Sequence, residues 1–228
     1  MPPAESESAA SAAMASGAPA SGPPPVSGAA SPVPTDGLAT SLSPPHAPAK
    51  PTAALLRGAA LALLGTLVLA ISAKVEVPFY PVPMTLQTLA VLTLGALFGA
   101  RLAAATVALY LGEGLVGLPV FAGAAAGPVY LAGPTGGYLA GFLLAAALVG
   151  ALAERGWTRG WLSAIAAMTL GHLVIFAAGF ALHAPMLGAG KAWAVGVAPF
   201  YAATVAKTLL AAALAIAARR FAPRRSVG

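Results

Sequence analysis

Six long stretches, made mostly of Ala, Leu, Val and Gly with scarcely a charge, constrain this chain more than any other feature. They run from Leu55 to Ala73, Thr85 to Gly99, Leu102 to Leu118, Tyr138 to Ala153, Trp161 to Leu182 and Val195 to Ala218. A backbone carrying such side chains has to satisfy its own polar groups within lipid. The expected fold class is therefore all-α integral membrane, a bundle of six transmembrane helices. Several of the runs are short of the ~20 residues a bilayer asks for, and Gly and Pro flank them. Hydrophobic residues reach 59% of the chain and charged residues only 8%, where soluble domains are near half apolar and about a quarter charged. An ordinary globular enzyme is excluded.

Residues 1–52 are Ala, Ser, Pro and Gly, punctuated by Glu5, Glu7, Asp36, His46 and Lys50 and without apolar periodicity. This composition predicts a disordered tail. It does not read as a signal peptide, because no basic region precedes an apolar one. A transmembrane substrate-binding domain is expected over 53–220 and a short basic cytoplasmic tail over 221–228.

The cations set the orientation. With the N-terminus in the cytoplasm, the inner segments hold Lys50, Arg57, Arg101, Arg155, Arg159, Arg219, Arg220, Arg224 and Arg225. The outer segments then hold only Lys74 and Lys191, and Lys207 lies within a span. That bias predicts both termini in the cytoplasm. The net charge of +6 does not point to nucleic acid, because the cations sit between apolar runs and form no basic helix with interleaved aromatics. In this topology the second, fourth and sixth spans begin after Pro83, after Pro134 and near Pro199. Their N-termini would turn partial positive charge toward one outer level, a setting for an anionic group, unless proline merely starts helices there.

Ionisable residues inside spans are expensive and need a reason. Lys207 shares a helix face with Tyr201, Thr204, Thr208 and Ala211. It either faces a cavity and meets an anion or snorkels to the interface. Glu113 shares a face with Thr106, Tyr110 and Gly117; it could pair with Lys207, accept a ligand N–H, or sit in water at the mouth of the bundle. His172, with Thr169 and Phe176 on its face, reads as a polar contact between helices. Gly58, Ala62, Thr66 and Ala70 make a small-residue stripe on the first span, suited to packing within the chain or to docking a separate membrane subunit.

Catalytic signatures are missing from the sequence. There is no HExxH, no GxSxG and no aspartate in any span, and no cysteine for a disulfide, zinc site or nucleophile. GAGK at Gly188–Lys191 lacks the earlier glycine and the following Ser or Thr of a phosphate loop. The expectation is a solute-binding protein with no metal, no cofactor and no ATP site of its own.

Three segments give that reading a family. VPFYPVPMTLQ at Val77–Gln87, GLPVFAG at Gly117–Gly123 and GPTGGYLAGF at Gly133–Phe142, followed by Pro199, Phe200 and Lys207, together resemble the BioY family. This family comprises the substrate-binding S components of energy-coupling-factor (ECF) biotin transporters. The likeness extends from Leu55 to about Ala218. It implies a six-helix S component of the cell membrane that captures biotin from outside and works with a transmembrane coupling subunit and two ATPases. The implied substrate-binding residues are Lys207, Thr204, Glu113, Tyr110, Gln87, Tyr138 and Gly136, with Phe79 and Tyr80 in a lid loop. The stripe on helix one is the implied docking face. Family members usually carry an Asp three residues before the lysine, where this chain has Thr204. Glu113 is the acid expected to compensate by holding the ureido N–H groups, leaving Lys207 for the carboxylate. The runners-up are an S component for another vitamin and a membrane scaffold.

Overall fold

The computed structural model describes Gly22, residues 51–78 and residues 80–221. The expected tail over 1–52 thus lies outside the described residues apart from Gly22, Pro51 and Thr52, as do Phe79 and the segment after Phe221.

Helix α1 runs Pro51–Lys74. A two-stranded hairpin follows, in which β1 (Glu76–Val77) pairs antiparallel with β2 (Met84–Thr85), Glu76 facing Thr85 and Val77 facing Met84. The helical run α2 spans Gln87–Leu115, and a short α3 at Pro128–Ala132 precedes α4 at Gly136–Glu154. A single 3₁₀ turn, Trp157–Arg159, leads into α5 at Trp161–Leu187. After Gly188 come α6 at Ala189–Gly196, a second 3₁₀ turn at Ala198–Phe200, and α7 at Tyr201–Phe221.

Five helical runs are long and apolar enough to cross a membrane among the described residues. The sequence reading expected six, splitting the second run in two, and the backbone explains the difference. Gly99 inside α2 is non-helical, with φ 78° and ψ 172°, a conformation that glycine tolerates and other residues resist. Gln87 Nε2 donates to Tyr110 Oη at 2.6 Å. In an unbroken helix those residues would stand roughly 35 Å apart at 1.5 Å of rise per residue. The chain therefore doubles back at Gly99, and α2 consists of two antiparallel arms.

Two ends of the bundle follow from contacts between elements. At one end the Gly99 turn meets the close of α4, where Ala100 N donates to Glu154 Oε1 at 2.9 Å and Arg219 donates to Ala153 O at 2.9 Å. At the other lie Lys74, the β-hairpin and residues 119–123, which Lys74 joins through its ammonium group.

Helix α4 occupies the centre. Its membrane-length window is 67% buried, against 22% for α1 at the periphery. Small residues let its neighbours close in: a Cβ on Gly150 would stand 2.4 Å from Ala100 N, and one on Gly137 2.6 Å from Ala178 O. Such backbone approach is what packs helices where lipid removes the hydrophobic incentive. On α1 three of the four stripe residues face this chain, while a Cβ on Gly58 would meet nothing within 4 Å. Ala62 and Thr66 are buried, Ala70 packs on the core, and a Cβ on the adjoining Gly65 would strike Thr106. Leu56, Leu63, Leu64, Leu67 and Ile71 form its exposed side.

Candidate functional site

A cavity lies under the hairpin, near the Lys74 end. Val82, Pro83, Thr85, Gln87 and Thr88 roof it, with Ala122 beside them. Thr135, Tyr138 and Phe142 come from the start of α4, Ile175 and Phe176 from α5, and Phe200, Thr204 and Lys207 from the entry into α7. Elements distant in sequence thus turn hydroxyl, amide and ammonium groups toward one apolar-walled space. It measures about 50 Å³, room for a few waters.

Lys207 Nζ donates to Thr85 O at 2.6 Å, tying the last helix to the hairpin across 122 residues of sequence. It has no carboxylate partner among the described residues. One of its three N–H groups is used, leaving an ammonium with donors to spare in a site with no acid among its described lining residues. Such a group suits an anion.

Gln87 is 4% exposed and locked in place. Its Oε1 accepts from Thr85 Oγ1 at 3.1 Å, while its Nε2 donates to Tyr110 Oη at 2.6 Å. Tyr110 Oη in turn donates to Val120 O at 3.0 Å. The second N–H of the amide remains for a ligand. Tyr138 Oη donates to Gly196 O at 2.7 Å, and its ring fits because Gly179 lacks a Cβ, which would stand 2.3 Å from Tyr138 Cε1.

Of the residues expected at the site, Lys207, Thr204, Gln87 and Tyr138 line the cavity together. Tyr110 stands behind Gln87 as a buttress. Gly136 is buried at the start of α4, where a Cβ would meet Leu131 O. Glu113 does not line the cavity, and Lys207 meets the Thr85 carbonyl in its place. Tyr80 is 93% exposed and also outside the lining. Phe79 lies outside the described residues. Sequence reasoning missed Thr85, Thr88 and Thr135, although each falls inside or beside the motif segments.

A second, larger crevice of about 350 Å³ opens between α5 and α7, lined by Leu173, Val205 and Leu209 among others. Its polar centre is His172, whose Nδ1 lies 3.0 Å from Thr208 Oγ1. This settles His172 as an interhelical contact. The crevice is mostly apolar and its walls are exposed on the bundle's flank, so the smaller cavity, with its converging polar groups, is the better candidate for solute binding. Phe176 and Thr204 line both spaces.

Apolar spans around a polar, cation-bearing cavity define a multi-pass protein of the cell membrane built to hold a small solute. The profile of the BioY family matches residues 44–224. The "Biotin transporter BioY" of Thermotoga maritima is 36% identical over 161 residues, covering 70% of this chain and 94% of that protein. The "Probable biotin transporter BioY" of Pyrococcus horikoshii is 34% identical over 145 residues, covering 64% of this chain and 85% of its own. The crystal structure of "the S-component for biotin from an ECF-type ABC transporter" superposes with a TM-score of 0.63, covering 74% of this chain and 93% of that one; at 22% identity the likeness concerns the fold. This chain belongs to the BioY family.

Proposed function

We propose that this protein is a biotin-binding S component that mediates biotin uptake, and that the cavity beneath the hairpin holds the vitamin. Family membership supplies the ligand. The observation that carries the site is Lys207, an ammonium in a cavity with no acid among its described lining residues, whose protein partner is a backbone carbonyl. Biotin's carboxylate supplies the missing anion. With Glu113 outside the lining, the ureido end falls to the Gln87 amide and the hydroxyls of Thr85, Thr88 and Thr135.

At about 50 Å³ the cavity is well below the roughly 300–1,000 Å³ of occupied ligand pockets, so biotin binds with movement of the walls. Phe176 and Thr204 border both the cavity and the crevice beside it. A turn of the Phe176 ring would enlarge one space at the other's expense.

The chain crosses the membrane six times, counting the arms of α2 separately, with both termini in the cytoplasm. The reversal at Gly99 and the gathering of Arg101, Arg155, Arg159 and Arg219 at one end support this arrangement. In the cell it works with a transmembrane coupling subunit and two ATPases; what α1 offers such a partner is its exposed leucine face.

Radiolabelled biotin uptake tests the function in cells that lack a biotin transporter of their own and express this chain with an energising module. Saturable uptake, blocked by excess biotin and not by other vitamins, is expected. Uptake no faster than in cells without the chain, despite membrane insertion, contradicts the reading.

A further inference from the structure

Lys74, at the end of α1, makes more long-range hydrogen bonds than any other described side chain, and none of them reaches the cavity. Its ammonium donates to Pro119 O at 2.7 Å, to Phe121 O at 2.8 Å and to Gly123 O. Three carbonyls converging on one point repel each other unless a cation stands between them. Here the chain provides that cation itself. Glu76, two residues on, accepts from Gly123 N at 3.2 Å and holds the same loop by its amide side.

The clamped loop leads to the ligand cavity along two routes. Ala122 forms part of the wall. Val120 O accepts from Tyr110 Oη, which accepts from Gln87 Nε2, and Gln87 lines the cavity. Phe121, fully buried, packs edge-on to Tyr110 and stacks on Tyr130 with ring centroids 5.3 Å apart. The loop thus holds the Tyr110 hydroxyl, which with Thr85 holds the Gln87 amide in place.

We propose that Lys74 is a positioning residue for biotin binding, a tethered cation that clamps residues 119–123 and through Val120 and Tyr110 aims Gln87 into the cavity. This rests on the assignment of that cavity to biotin. It also makes the outer end of α1 part of the site's framework, so that a shift of α1 is felt at Gln87.

The cradle is open to water, since Lys74 and Gly123 are exposed, and a free ammonium ion can therefore replace the side chain. The test uses the full chain in lipid nanodiscs with Lys74→Ala and, separately, Lys74→Arg. Biotin affinity and backbone amide exchange over residues 117–127 are measured with and without n-propylammonium. Tetramethylammonium, which has no N–H, serves as the control at equal ionic strength. For Lys74→Ala we expect about a tenfold loss of affinity, as for one or two displaced hydrogen bonds, and faster exchange in the loop. Both should revert in propylammonium and not in tetramethylammonium, while Lys74→Arg keeps most of the affinity. Wild-type affinity and exchange in Lys74→Ala overturn the proposal. So does a loss that propylammonium leaves unchanged, because the effect is then general destabilisation. If the unaltered protein fails to bind biotin, the cavity assignment fails, and loop exchange still reports on the clamp by itself.

Discussion

Replacing Lys207 by Met keeps a long, flexible, mostly apolar side chain and removes only the ammonium. In the unliganded protein the substitution costs Thr85 O its donor, but that loss is present with and without ligand and cancels from the binding difference. What remains is the interaction with the carboxylate. Hydrogen bonds to a charged group are worth about 1.5–3 kcal/mol, and leaving the carboxylate unpaired in a partly desolvated site takes the loss to about 3 kcal/mol. At 1.4 kcal/mol per decade, affinity falls somewhat over a hundredfold. The assay is equilibrium binding to the folded protein in nanodiscs, with biotin and with biotin amide, whose carboxyl end is neutral. Biotin should separate wild type from Lys207→Met strongly and the amide only slightly. The reasoning fails if Lys207→Met binds biotin within twofold of wild type, or if both ligands weaken equally.

Four further outcomes follow from the same geometry. Gln87→Leu removes the locked amide donor and should weaken biotin and its amide alike, by about tenfold, whereas Glu113→Gln, outside the lining, should leave both within twofold; the reverse order would return the ureido end to Glu113. Gly99→Val forces a branched side chain into a positive-φ turn and against Glu154, where a Cβ would stand 2.4 Å from Oε1. It should cost at least about 1–3 kcal/mol of stability, and an unchanged unfolding midpoint would deny the sharp reversal. A cysteine in place of Arg155 should react with impermeant reagent only from the cytoplasmic side, and labelling from outside alone would invert the topology. Deleting residues 1–50 should leave biotin affinity within twofold, and a large loss in a truncated protein that inserts normally would make the tail part of the site.

The spans were legible because lipid writes its requirement into every residue of a run. Their ends were less so: α5 runs on to Leu187, past the expected Leu182, and α7 begins at Tyr201 after Pro199 and not at Val195, while Gly99 marks the reversal within α2. The sequence did not disclose the hairpin, since two-residue strands carry no periodicity, or the return of α6 beside α5, where Trp193 meets Phe180. At the site, helical spacing identified faces and could not identify neighbours. Lys207 was visible as a cation too deep to ignore, but its bond to Thr85 joins residues 122 apart. Tyr110 and Glu113 share a face by spacing, yet Tyr110 turns to Gln87 while Glu113 stays outside the lining. The stripe of Gly58, Ala62, Thr66 and Ala70 announced close approach without naming the partner, and Ala62 and Thr66 are buried within this chain. Phe142, Ile175 and Phe176 could not be told from ordinary core, because an apolar cavity wall and an apolar core have the same composition.

The central claim is that this chain alone forms the biotin site. Equilibrium binding of radiolabelled biotin to the purified full-length protein, reconstituted without any partner, addresses it most directly. Saturable binding is predicted, displaced by unlabelled biotin, unaffected by unrelated vitamins and lost on Lys207→Met. Folded protein that binds no biotin, or that binds another vitamin in its place, would contradict the account.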